Sequence, residues 1–377
     1  MNKYKLNEIC INITDGTHST VIDDKMGTCF LLSCKNVKDG KIIINKTDRI
    51  INKETLLQLR KRTKMNYGDV ILTTVGTIGE SSFVKDTNPN FEFQRSVAIL
   101  KPNTNIIISK FLHYFLISNI GQLSIASRIK GAAQPCLFLN DLKQIEISLP
   151  TMEKQQHIVN TIGSVDDLIE NYQKRIETIC DILTMSLQIY EEKVSIEHYN
   201  PEIIKSGITK FDKIKTYIDT STLEGVNNIS DGEVIEYNKR PSRANMQPVE
   251  NSVWFAKMKE SNKKLILTKQ DNDLIDGVIL STGFLGILVS DQLPLSFLSA
   301  LIISKDFNLQ RDLNSVGTTM AGVNNETFLK ILVPLLTDIE LKEYELKYRP
   351  HIAELSLLRR KINQLKKIKT ELLSKYF

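Results

Sequence analysis

A chain of 377 residues with 49 lysines and arginines against 44 aspartates and glutamates carries a formal charge of only +5, at 41% hydrophobic and 25% charged content. That predicts two or three ordinary globular domains and excludes collagen-like, mucin-like and wholly disordered chains. No apolar run reaches the roughly 18–20 residues that cross a bilayer. The first residues lack a signal peptide's apolar core, and Cys10, Cys29, Cys34, Cys136 and Cys180 form no CxxC pair. A reducing cytoplasm is the expected compartment.

Residues 1–150 hold short β-branched runs such as Phe30-Leu31-Leu32, Lys41-Ile42-Ile43-Ile44 and Val70-Ile71-Leu72-Thr73-Thr74. Asp-Gly and Asn-Pro turn signals lie between them, with one helical run at 109–120. A mixed α/β domain of net charge +7 is expected. Its surplus includes Arg60, Lys61, Arg62 and Lys64, just after the helix-like stretch Lys53–Leu59. Such a cluster suits phosphate, although a basic five-residue run is also an ordinary solvated loop. Thr74 and Arg95 join it as candidate DNA contacts, because Arg and Thr can read base edges.

From Glu153 to about Lys193 only Gly163 interrupts, and apolar positions recur helically through Ile158, Ile162, Ile169 and Ile176. Residues 198–336, at net −1, read as a second mixed domain. There Arg240 and Arg243 flank a proline-stiffened turn, and Lys257 and Lys259 follow as further candidate DNA contacts. Residues 337–377 form a second helical stretch through Tyr348, Ile352, Leu355 and Ile362, with Pro350 placed to kink it. Two helices of about 40 residues would each run roughly 60 Å. The first carries 4 basic and 9 acidic side chains and the second 10 and 6. Opposite sign favours an antiparallel coiled-coil pair whose seam is those eight apolar residues.

The chain is one unit written twice. Residues 109–118 (SKFLHYFLIS) fall on 295–304 (LSFLSALIIS), Gly131 on Gly317, and Ile145, Ile147 and Leu149 on Ile331, Val333 and Leu335. Upstream, two registers compete. One sets 70–79 on 278–286. The other, preferred for its nearly constant spacing, sets Val70-Ile71-Leu72 on Val253-Trp254-Phe255 and Gln94–Val97 on Ser281–Phe284. Asn36–Gly40 is placed on Asn228–Gly232. The expected fold is α+β: two tandem mixed α/β domains (1–150 and 198–336), separated by long antiparallel helices (151–197 and 337–377), with an internal pseudo-two-fold repeat.

Catalytic signatures are missing. There is no GxxxxGK[ST], HExxH or GxSxG, and no Asn/Asp-Pro-Pro-aromatic tetrapeptide of the amino-methyltransferases. Glu-x-Lys triplets at 191–193, 340–342 and 345–347 lie on the expected helices, where they are solvated faces. Five scattered histidines have no metal-ligand partners at useful spacing. A non-enzyme without catalytic or metal residues is expected.

Several stretches carry a resemblance. They are Tyr67–Gly79 (YGDVILTTVGTIG), Gln94–Leu100 (QRSVAIL), Gly131–Pro135 (GAAQP) and Ile147–Val159 (ISLPTMEKQQHIV), with Leu365–Phe377 (LKKIKTELLSKYF). In these the chain resembles the specificity subunits of type I restriction–modification systems over essentially its whole length. The resemblance implies two target-recognition domains, each reading half of a split DNA site. It also implies helices that dock methyltransferase subunits, two in number, and restriction translocase–nuclease subunits. S-adenosylmethionine, ATP and Mg would then sit on those partners, with no cofactor here. The second unit departs from the pattern, with Asn251-Ser252-Val253 in place of Gly-Asp-Val. A coiled-coil adaptor without a DNA role, a specificity subunit serving a methyltransferase alone, and a silent cassette remain the alternatives.

Overall fold

The computed structural model describes residues 2–45, 47–317 and 321–377. The chain folds into two compact units: residues 1–167 with 366–377, and residues 168–365. Each unit therefore takes part of both long helices, whereas the sequence suggested four consecutive segments.

In unit 1 an antiparallel sheet is ordered Cys10–Asp15, Val97–Pro102, Val70–Thr73, Ser81–Phe83. Its two central strands are buried on both faces, and successive side chains point to opposite sides. Val70, Leu72, Ala98 and Leu100 enter one core with Phe111, Tyr114 and Phe115 of helix Ser109–Ile117. Ile71, Val97 and Ile99 enter a second core with Leu32, Phe91 and Phe93. That second core belongs to a smaller sheet ordered Arg49–Ile51, Cys29–Leu32, Phe91–Phe93, whose last pair is parallel.

Unit 2 repeats the first sheet strand for strand and adds one strand, Ala244–Met246, to the second. Its first sheet is ordered Glu202–Ile203, Phe284–Leu288, Ser252–Ala256, Lys264–Leu267. Val97 faces Thr73 and Leu100 faces Val70 in unit 1; Phe284 faces Ala256 and Ile287 faces Val253 in unit 2. The preferred upstream register is therefore the one the sheets adopt. The competing register fails because Val278–Ser281 is a strand of the second sheet. It runs parallel to Lys215–Ile218 just as Phe91–Phe93 runs parallel to Cys29–Leu32. One cross-strand pair redistributes its volume: Ile71 opposite Ile99 becomes Trp254 opposite Gly286. A Cβ on Gly286 would lie 2.5 Å from the indole, so the glycine makes room for the ring.

The match of Asn36–Gly40 to Asn228–Gly232 is corrected. Strands Val37–Lys38 and Lys41–Ile42 form a hairpin over left-handed Asp39 and Gly40. Its counterpart is Leu223–Glu224 with Asn228–Ile229, turned by left-handed Gly225 and Asn227. The Asp231-Gly232 dipeptide imitates the turn in sequence without forming it. Two insertions distinguish the units. Helix Lys53–Thr63 lies between strands Arg49–Ile51 and Val70–Thr73 of unit 1, where unit 2 has strand Ala244–Met246. Helix Asn272–Gly277 occurs between strands Lys264–Leu267 and Val278–Ser281 of unit 2 alone.

The long helices are Met152–Met185 and Asp338–Tyr376. The first stops short of Lys193 because Lys193–Ser195 is a strand paired with Leu332–Pro334. The second runs through Pro350 as a continuous helix. Within unit 1, Ile158 and Ile162 share a core with Leu373, and Lys369 pairs with Asp166 at 2.7 Å. Within unit 2, Ile352 and Leu355 share a core with Ile179 and Leu183, and Ile176 and Tyr348 pack against it half-buried. There Arg175 grips Glu354 through two bonds of 2.8 and 3.1 Å. Ile362 is buried and Ile169 half-buried.

Gln155 fastens the first long helix to unit 1. Buried to 1% exposure, it accepts from the Ile108 amide at 3.0 Å and donates to the carbonyls of Ile106 and Pro150. Gln155→Ala leaves those backbone groups without partners, so a loss of about 1–3 kcal/mol is expected in equilibrium denaturant unfolding. An unchanged midpoint would remove Gln155 from that role.

Candidate nucleic-acid interface

In both units the end of a central strand is caught between a turn and a loop. In unit 1 the residue caught is Thr74. Its amide donates to the Ser96 carbonyl and its own carbonyl accepts from the Leu137 amide, both at 2.9 Å. The turn carries exposed Arg95, whose amide donates to the Thr17 carbonyl at 3.0 Å. The loop's stem is closed by two bonds of 2.9 Å between Lys130 and Cys136. Gly131 stands in that stem at φ 98, a conformation that strains any residue with a Cβ. Residues 131–135 of the loop are all exposed.

Unit 2 repeats the rim with Lys257 in Thr74's place. The Lys257 amide donates to Gly283 at 2.9 Å, and the Val323 amide donates to the Lys257 carbonyl at 3.0 Å. Val316 and Gly322 close the loop stem at 3.0 and 3.1 Å, with Gly317 at φ 111. Exposed Lys259 bonds the Ala321 carbonyl through its amide. The Arg243 carbonyl accepts from the Thr282 amide at 2.8 Å, and its exposed side chain reaches over Gly283. Burial, with the Arg243 charge adding to it, holds the half-buried Lys257 below the usual lysine range. Arg240 is engaged locally, lying 4.3 Å over the Tyr237 ring and donating to the Tyr237 carbonyl.

The basic run of unit 1 divides by partner. Its first residues are helical, within Lys53–Thr63, and not a loop. Arg60 turns inward, donating to the carbonyls of Pro89 and Phe91 at 2.8 Å each. It also lies 3.9 Å from fully buried Glu92, whose pKa burial raises despite a bond from the Thr63 hydroxyl. Arg62 bonds Asp15 and the Gly16 carbonyl, beside His18. Lys61 and Lys64 are exposed, and Lys64 ends the helix at φ 47. A cleft of about 210 Å³ is lined by His18, Arg49, Gln94 and Arg95.

Charges deep in unit 2 had no signal in the sequence: Lys264, Arg311 and Arg359 are each at most 2% exposed. Nothing in their spacing separates them from solvated residues. Among the described residues no cluster of His, Cys, Asp or Glu could hold a metal ion, and no helix is long and apolar enough to cross a membrane.

Residues 16–180 match the family model described as "Type I restriction modification DNA specificity domain". The specificity subunit of the type I restriction enzyme EcoBI from Escherichia coli is 29% identical over 203 residues, 51% of this chain and 42% of that protein. The specificity subunit of the type I restriction enzyme MjaIX from Methanocaldococcus jannaschii is 28% identical over 141 residues, 37% of this chain and 31% of that protein. The matches thus span less than half the length of these relatives. A crystal structure of a type I restriction–modification S subunit from M. genitalium is similar over 100% of this chain and 96% of that one, at TM-score 0.48 and 14% identity.

Proposed function

From the match of residues 16–180 to the type I restriction modification DNA specificity domain model, we propose that the chain is the DNA-recognition subunit of such a complex, reading a target in two blocks. The observation that carries this reading is the doubled rim, present in both units with the same hydrogen bonds around Thr74 and Lys257. Two copies of one scaffold with different inserted elements suit two different short sequences. Cations at the rim supply phosphate attraction, and the inserted elements that differ between units supply base readout.

The chain acts without catalysis of its own. A methyltransferase subunit docks at each unit by the outward faces of the long helices, and restriction subunits join that assembly. S-adenosylmethionine, ATP and Mg belong to those partners. Methylated positions mapped by long-read sequencing, in cells carrying this chain and its methyltransferase, should form a motif of two blocks separated by an unspecified stretch. A single uninterrupted motif would overturn the two-block reading. Methyl transfer to DNA by the purified chain alone would overturn the division of labour.

A further inference from the structure

Arg243 and Lys257 converge on Gly283, and among the described residues neither side chain is bonded to a carboxylate. The Lys257 amide is bonded to Gly283, and Arg243 Nη2 lies 3.5 Å from where a Cβ on Gly283 would stand. Burial and the Arg243 guanidinium both hold the Lys257 ammonium below the usual lysine range. Nearby Lys263 is already committed, donating to the Thr220 carbonyl. The Asp219 carboxylate is likewise committed, accepting from Ser221 and Thr222. Gly283 adds no side chain there, and the Thr220 methyl and Ser281 hydroxyl beside it, 3.0 and 3.4 Å from where its Cβ would stand, carry no charge.

Resting on the DNA-recognition reading above, we infer that Arg243 and Lys257 form a seat for one phosphate of the DNA backbone. The argument is electrostatic. Like charges held side by side raise each other's free energy, and an anion bonded to both relieves the repulsion. A guanine edge could satisfy Arg243 through its N7 and O6 acceptors, but it would leave the Lys257 charge uncompensated. A phosphodiester oxygen pair serves both. The arrangement is confined to unit 2. In unit 1 Thr74 replaces Lys257, and Ser96 replaces Gly283 with its hydroxyl accepting from the Cys34 amide at 3.1 Å. The two blocks of the target therefore differ in how tightly their backbone is held.

The test uses the full chain assembled with its methyltransferase, its mapped target duplex and an unrelated duplex. Dissociation constants are measured across salt concentration for the parent, Arg243→Gln, Lys257→Gln, the double variant and Lys257→Arg. The double variant should weaken both duplexes by the same factor and flatten the slope of log K against log[salt] by about 0.9, the value for one phosphate. Lys257→Arg should keep the parental slope. A neutral methylphosphonate, scanned along the target with the parent protein, should weaken binding at one position. That position should fall silent in the double variant.

Loss confined to the target duplex, at unchanged slope, would make Arg243 a base reader and overturn the seat. Unchanged DNA binding with weakened methyltransferase association would make the pair a protein contact and overturn it equally. No preference of the parent complex for its target would instead sink the DNA-recognition reading itself. Thermal melting of each variant separates misfolding from lost contacts, and the methylphosphonate scan needs no substitution.

Discussion

Arg359→Ala should remove about 3–5 kcal/mol from the stability of unit 2, because it strands a carboxylate in a place water does not reach. The Arg359 side chain is 1% exposed and that of Asp271 is 0%. The guanidinium holds Asp271 at 2.8 Å and Asp273 at 2.7 and 2.9 Å. Asp271 also accepts from the Ser356 hydroxyl at 2.5 Å and the Thr268 amide at 2.8 Å. The network ties segment 268–273 to the second long helix, so segment and helix should loosen together. Burial works against the charge on Asp273, yet the Arg359 bond and charge outweigh it and hold its pKa below the usual carboxylate range. Its contribution is thus complete above the unfolded value of about 3.9 and lost as pH falls through the lower folded value. Urea unfolding near neutrality and again at acid pH would check both statements. An Arg359→Ala midpoint equal to the parent's would refute the first, and a parent–variant difference that grows on acidification would refute the second.

Exchanging residues 16–149 for the corresponding stretch of another specificity domain should replace one block of the target and leave the other intact. A mismatched base pair costs about 1–3 kcal/mol. Over two base pairs that is about 2–6 kcal/mol, or roughly 30-fold to more than 10⁴-fold discrimination against the old block. Mapping methylated motifs before and after the exchange reads the outcome directly. A change in both blocks, or in neither, would mean that the units do not read separately.

Much of the scaffold was legible because its cause is periodic. Val70-Ile71-Leu72 and Val253-Trp254-Phe255 are buried on both faces, so each position is held by a core and the repeat survives in the letters. Turn chemistry misled where two short polar dipeptides looked alike: Asp39-Gly40 turns a hairpin and Asp231-Gly232 does not. The basic run was visible as charge, but its division was not. That depended on the open carbonyls of Pro89, Phe91 and Gly16 awaiting donors from Arg60 and Arg62. Those acceptors come from segments about 30–50 positions away, and only the fold brings them near. The convergence of Arg243 and Lys257 on Gly283 was hidden for the same reason, since a turn and a strand end meet there only in the fold.

Unit 1 is discontinuous, and that sets a timetable for synthesis. Its core includes Leu373, and Phe377 lies against Phe111 at 5.0 Å between ring centres. A ribosome that has finished residue 167 must still add about 200 residues before those side chains exist. At 5–20 residues per second that is a wait of roughly 10–40 s. Unit 2 occupies the interval and needs nothing made later than residue 365. The earlier half thus keeps an apolar face open for as long as the second half is being made. Chaperone occupancy during translation should fall on unit 1, and premature stops near the end of the second long helix should damage the half that was made first.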